Sequence, residues 1–236
     1  MFQTKHRACS GYLVRLGGVS LWLDAGAGTW RNLLDQINYE DLDGVLLTHR
    51  HPDHVTDVFQ ACHARLYGPQ GEQPKIPLWA PRETADAVCS FAGSIEDAFE
   101  VRIISSRASV EWAGATLRFF DMAHPPETLG VRIEYEGAVF AYSADTGPKS
   151  DLIGLAQDAD VFICEATLQE ADGEWEGHLH AAAAASVAKR AGVKHLVLSH
   201  LPPGRDLTAS IAEAQREAGD VTLELAEEGR TLEVQR

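Results

Sequence analysis

The chain alternates short apolar runs with polar, glycine-containing breaks, and the runs have two periods. Two-residue alternation or continuous apolar stretches predict strands at GYLVRLG (11 to 17), VSLWLDAG (19 to 26), DGVLLTH (43 to 49), KIPLWAP (75 to 81), ATLRFFDMAH (115 to 124) and LGVRIEYEG (129 to 137). They recur at AVFAYSAD (138 to 145), ADVFICEA (159 to 166), KHLVLSH (194 to 200), VTLELAEEG (221 to 229) and TLEVQR (231 to 236). Helical spacing predicts helices over about 29 to 38, 53 to 65, 82 to 91, 149 to 156, 181 to 191 and 207 to 217. The turns in EYEGAVF and LAEEGRTLEV predict antiparallel hairpins. The stretch AAAAASVAKRAG (181 to 192) reads as a tightly packed helix, because alanine is the best helix former and Gly192 supplies a stop. Hairpins flanking strands that alternate with helices predict two sheets with helices on their outer faces.

At 236 residues, with no Pro/Gly/Ser-rich linker, the sequence reads as a single domain over 1–236. A net charge of −15, spread along the chain, opposes loose binding to nucleic acid, which needs Lys/Arg clusters. No apolar stretch is long enough to span a bilayer, and MFQTKHRACSG lacks the apolar core of a signal peptide, so a cytoplasmic location is expected. Cys9, Cys62, Cys89 and Cys164 form no C-x-x-C pair and read as buried free thiols.

The candidate chemistry begins at LLTHRHPDH (46 to 54), where three histidines and an aspartate follow an apolar strand. His49 and His51 alternate, so in extended backbone both rings point to one side. Asp53 and His54 follow Pro52, where the chain should enter a helix, and can face a second point nearby. Other strands end in His124 (FFDMAHPP), Asp145 (VFAYSADTG) and His200 (LVLSHLPP). Seven ligands result: His49, His51 and His124 for one ion, Asp53, His54 and His200 for another, and Asp145 bridging. These nitrogen and oxygen donors suit two divalent ions, zinc first, with manganese or iron as competitors. Isolated histidines such as His6, His63 and His195 receive no role.

Together with DAGAG (24 to 28) upstream and His124, Asp145 and His200 in that order downstream, T-H-R-H-P-D-H resembles the metallo-β-lactamase fold superfamily of hydrolases over nearly the whole chain. The resemblance implies an α/β fold, a four-layer αβ/βα sandwich of two mixed sheets with a dinuclear metal site at one edge. It makes Asp24 a support for the metal-binding loop and not a ligand, compatible with an ordinary turn role. HPPETLGVRI leading to SADTG, and CEATL followed by GHLHAAAAASVAKRAG, look like the phosphodiesterase branch that contains ribonuclease Z and small bacterial cyclic-nucleotide phosphodiesterases. That branch implies His178 as proton donor to the leaving group, with Glu165 as the candidate acidic support. The plain alternatives are a solvent-facing helix-start histidine and a structural hydrogen-bonding glutamate. Three departures stand out: Ala144 where the family carries glycine, His180 in place of a common Ser or Thr, and an expected first strand that is missing before SGYLV.

Two ions sharing a hydroxide would provide a nucleophile and a clamp for a phosphodiester, with Asp53, His178 and Glu165 as the catalytic set. His124 and Asp145 are 21 residues apart, room for a hairpin only, and no basic, glycine-rich arm for transfer RNA is visible. The expected substrate is therefore a small phosphodiester such as a 3′,5′-cyclic nucleotide, with neither nucleic acid nor membrane as partner. A homodimer is admitted, since many relatives form one. The alternatives are a ribonuclease Z-like transfer RNA 3′-processing nuclease, a lactone or thioester hydrolase of the same fold, and a non-catalytic binding module, against which the complete ligand set speaks. Loops 64 to 75 and 167 to 177 are expected to set selectivity, and the Trp in EADGEWEGH either stacks a base or packs on its neighbours.

Overall fold

A computed structural model of the chain describes residues 1 to 235 and divides into two compact units, Met1–Ile104 and the residues from Ser105 onward. In the first unit the elements are β1 (Tyr12–Leu16), β2 (Val19–Leu23), α1 (Thr29–Leu34), β3 (Gly44–Leu46), α2 (Pro52–Val55), α3 (Val58–Tyr67), β4 (Ile76–Ala80), α4 (Arg82–Phe91), α5 (Ile95–Ala98) and β5 (Phe99–Ile103). They build one mixed sheet in the order β1-β2-β3-β4-β5, antiparallel at β1/β2 and parallel thereafter. β3 is buried along its whole length, as a central parallel strand covered on both faces must be, which is why it reads as an unbroken apolar run. Trp22, Leu78 and Phe99 from the other strands join Val58, Ala61, Val88 and Ile95 from the helices in one core.

The second unit contains β6 (Ser109–Trp112), β7 (Ala115–Asp121), β8 (Leu129–Tyr135), β9 (Ala138–Tyr142), α6 (Leu152–Ala156), β10 (Val161–Glu165), α7 (Ala181–Arg190), β11 (His195–Ser199), α8 (Leu207–Ala218) and β12 (Thr222–Leu225). Its sheet runs β12-β11-β10-β9-β8-β7-β6, a meander from β6 to β9 followed by parallel strands from β9 to β12. The buried residues of α7 are Ala181, Ala184, Ala185 and Ala188, a stripe at helical spacing. Small side chains there let α7 approach Ala214 and Ala218 of α8 and Phe162 and Leu198 of the sheet within one core. Replacing a fully buried leucine such as Leu198 by alanine would cost about 2–5 kcal/mol.

Several expected boundaries move. The helix expected over 53 to 65 is two helices, broken at Thr56 and Asp57. In a continuous helix the carbonyls of Asp53 and His54 would accept from Asp57 and Val58; here they accept from Ser10 N (3.1 Å) and Ala25 N (2.7 Å), and Asp57 N donates to Ala25 O. The helix expected over 29 to 38 stops at Leu34, so its last residues form turns. TLEVQR carries no strand over 231 to 235, and its last residue lies outside the described residues; the hairpin expected at LAEEGRTLEV is therefore absent among the described residues. Before Tyr12 there is only an isolated bridge between Thr4 and Arg7, so β1 forms the edge of its sheet.

Three residues just beyond strand ends have left-handed backbones: Asp24 after β2 (φ 58°), Ala144 after β9 (φ 53°) and His200 after β11 (φ 54°). Each such turn costs an L-residue about 1–2 kcal/mol and redirects the chain abruptly. All three fall among the candidate site residues or next to one.

Candidate functional site

In the first unit a single buried carboxylate organises the histidine loop. Asp24, fully buried, accepts from Thr48 N (2.8 Å), from Thr48 Oγ1 (3.0 and 2.9 Å) and from His54 Nδ1 (2.8 Å). With its proton given to Asp24, the Thr48 hydroxyl is left to accept from His49 Nδ1, 3.1 Å away. The network thus assigns both His49 and His54 the tautomer with an unprotonated Nε2. His49 Nε2 and His51 Nδ1 converge to 3.1 Å, close to the roughly 3.3 Å that separates two nitrogens on one tetrahedral zinc. Asp53 Oδ2 lies 3.9 Å from His54 Nε2. The loop is pressed against DAGAG so closely that a Cβ on Gly26 would come within 2.0 Å of the Asp53 carbonyl oxygen; only glycine fits there.

In the second unit β7, β9, β10 and β11 all run in one direction, so the residues at their carboxyl ends share one edge of the sheet. That edge carries His124, Asp145, Glu165 and His200, the usual position for a site in an open sheet with parallel strands. His124 Nδ1 donates to the Gly177 carbonyl (2.8 Å), and His200 Nδ1 meets Thr167 Oγ1 (2.7 Å). Their Nε2 atoms lie 3.8 and 3.4 Å from one oxygen, Asp145 Oδ2. Burial lowers the pKa of His124, with Asp145 opposing in part, which favours the neutral ring a metal requires. Asp145, His178 and His200 each present a donor atom within 4.8 Å of the others and could hold a metal ion.

His178 sits beside this set, its ring 5.0 Å from that of His124 and stacked at 5.3 Å on that of His200. Its Nδ1 contacts Glu165 Oε1 at 2.6 Å. Burial works against a charged His178, but the hydrogen bond and charge of Glu165, helped by Asp145, outweigh it and raise its pKa. Glu165 also accepts from Thr146 N (2.8 Å) and Thr167 N (3.1 Å). The structural and supporting readings of this glutamate therefore coexist.

The β-lactamase superfamily domain model matches residues 21–201, more than half of the chain. The chain belongs to the metallo-β-lactamase superfamily. Among its relatives, a Mycobacterium tuberculosis protein is 34% identical, covering 88% of this chain and 80% of its own length. A ribonuclease Z of Kineococcus radiotolerans is 28% identical, covering 93% of this chain and 87% of its own. The crystal structure of the metallo-β-lactamase fold protein YhfI from Bacillus subtilis superposes with a TM-score of 0.87 at 25% identity, over 97% of this chain and 93% of that one. This superfamily member therefore has the metallo-β-lactamase fold, with two mixed sheets and helices, and is a metal-dependent hydrolase whose His/Asp clusters are able to bind metal.

Every candidate ligand and catalytic residue read from the sequence of this hydrolase falls into one of the two clusters: His49, His51, Asp53 and His54 in the first unit, His124, Asp145, Glu165, His178 and His200 in the second. Sequence reading missed the groups that orient the rings. Thr48 and Thr167 fix the Nδ1 atoms of His49 and His200, and the Gly177 carbonyl fixes that of His124. Thr48 stands directly before His49 in the motif, which is the one signal that could have found it. Among the described residues no helix is long and apolar enough to cross a membrane.

Proposed function

We propose that this hydrolase is a dinuclear phosphodiesterase acting on a small phosphodiester such as a 3′,5′-cyclic nucleotide. His49, His51 and His124 would hold one ion, Asp53, His54 and His200 the second, with Asp145 bridging, zinc being favoured by the imidazole-rich donor set. Bound there, a pair of divalent ions supplies a water of lowered pKa as nucleophile and countercharge for the non-bridging oxygens of the ester. Asp53 accepts a proton from the attacking water. His178, its Nδ1 held by Glu165, gives the proton on Nε2 to the departing alkoxide. Glu165 acts through His178 as a positioning residue, fixing the ring and stabilising its charge.

The observation that carries the reading is the His178–Glu165 pair at 2.6 Å, beside Asp145 and His200. An alkoxide is a poor leaving group, and a histidine whose pKa is raised by a carboxylate partner, next to the donor set, is what its departure needs. Thioester hydrolysis, whose thiolate leaves without a proton, gives this pair less to do. A net charge of −15 and the 21-residue spacing of His124 and Asp145 favour a small substrate over transfer RNA. The reading includes a single metallo-hydrolase domain over 1–236 that works in the cytoplasm, without nucleic-acid or membrane partners and with a homodimer as its admitted assembly. The ribonuclease Z relative supports a second reading, transfer RNA 3′ processing. The test is metal content of the purified protein, with turnover of bis-p-nitrophenyl phosphate, 3′,5′-cyclic AMP and a precursor transfer RNA in the same preparation. Two equivalents of metal with turnover of the first two are expected; precursor cleavage without cyclic AMP turnover would replace the first reading by the second.

A further inference from the structure

Trp175 is 54% exposed, yet it lies in the loop that closes over His178, with ring centroids 4.7 Å apart and planes inclined at 56°. Among the described residues, it is the one exposed indole of this chain, and it stands against the residue proposed to protonate the leaving group. We propose that Trp175 is a stacking platform for the nucleobase on the leaving-group side of the substrate. This deepens the phosphodiesterase reading and rests on it.

The loop is built to hold the indole still. Glu170, Gln169 and Asp172 are tied to the α8 region: Glu170 N donates to Glu213, Gln169 Nε2 donates to Ser210 Oγ and the Asp206 carbonyl, and Asp172 pairs with Arg205. On the other side of the indole, the Glu176 carbonyl oxygen would be 1.6 Å from a Cβ on Gly147, so the strand-end turn after Asp145 needs glycine to let the loop through. Lys149 pairs with Glu176, and the Gly177 carbonyl is taken by His124. A side chain held between two such anchorages loses little freedom when a ligand meets it, which is the condition under which an aromatic face adds affinity.

Geometry also selects the ligand. His178 addresses the leaving oxygen, so a planar group against Trp175 must be carried by the leaving alcohol. A nucleoside fits this demand, because its ribose oxygen leaves while its base lies a few ångströms away. A sugar or glycerol phosphodiester offers no plane to stack. An indole face accepts any base, since every base has a π-face, so purine and pyrimidine esters should both gain.

The test compares kcat/KM for 3′,5′-cyclic AMP with that for ribose 3′,5′-cyclic phosphate, the same ester without a base. Loss of one stacked base corresponds to roughly a 5- to 150-fold effect. The native protein should therefore prefer the nucleotide by a factor in that range, Trp175→Ala should collapse the preference towards one, and Trp175→Phe should keep most of it. Isothermal titration of AMP into the metal-loaded protein provides the readout independent of turnover. Weaker AMP binding by Trp175→Ala than by the native protein supports the platform even if neither ester is hydrolysed, an outcome that would sink the phosphodiesterase reading alone. A preference unmoved by Trp175→Ala, equal loss on both esters, or equal AMP affinity in native and variant proteins would overturn the platform.

Discussion

Replacing Asp24 probes whether the histidine loop is tuned by its buried support. Asp24→Ala would leave Thr48 N and His54 Nδ1–H buried without their acceptor, at about 1–3 kcal/mol each. It would also put alanine at φ 58°, adding roughly 1 kcal/mol. The total approaches the 5–15 kcal/mol stability of a typical domain, so this variant is expected to fold poorly and reports little else. Asp24→Asn is the sharper perturbation. Asparagine tolerates the left-handed backbone, and its amide oxygen keeps Thr48 N, but its NH2 group then faces His54 Nδ1. The ring must take the other tautomer to accept it, which protonates Nε2, the atom proposed to bind metal. Loss of such an outer partner lowers metal affinity by roughly 10- to 100-fold, about 1.4–2.7 kcal/mol. Competition against a chromophoric chelator measures the affinity of each ion, and calorimetry of the metal-free protein measures the Tm. The expected result is one weakened ion with a metal-free Tm within a few degrees of the native value. Native affinity for both ions in Asp24→Asn would refute the tautomer argument.

Asp145→Ala should hold fewer than two equivalents of metal and lose hydrolysis; two tightly held ions by metal analysis would remove the bridging assignment. His178→Ala should keep its metal while turnover of cyclic AMP falls by about 10²–10⁴-fold and turnover of bis-p-nitrophenyl phosphate falls far less, because an aryloxide leaves without a proton. Equal losses on the two esters would count against the proton-donor role. Gly147→Ala should displace the Glu176 carbonyl and, through Gly177, loosen the His124 ring, destabilising the protein by about 1–3 kcal/mol and lowering metal affinity; a native chelator titration would show that the close approach is adjustable.

The candidate donor residues were legible in the sequence because chemistry-bearing side chains at strand ends stand out against apolar runs, as in LLTHRHPDH and LVLSHLPP. Strands buried on one or both faces were legible for the same reason. β5 and β6 were not: FEVRI and SVEW do alternate apolar and polar residues, but runs of five and four residues, the first exposed at three of its five positions, are too short for alternation alone to separate a strand from a loop. The break between α2 and α3 was invisible because nothing local causes it; distant Ser10 and Ala25 take the carbonyls that would have continued the helix. Ring orientation was illegible for a related reason. A hydroxyl such as Thr167 has no sequence signature until the fold brings it 2.7 Å from His200 Nδ1.

The left-handed backbone at Ala144 bears on which genetic changes the family can explore. Single-nucleotide changes of an alanine codon reach Val, Thr, Ser, Pro and Gly, together with Asp or Glu. At φ 53° the β-branched Val and Thr are strained and Pro is excluded by its fixed φ, whereas Gly sits there freely. A saturation library should therefore show codon 144 as nearly intolerant of Val, Thr and Pro and welcoming to Gly, although its side chain carries no chemistry. Selection at that codon would act on the bend that aims Asp145, which makes the neighbouring position a silent guardian of the site's lineage.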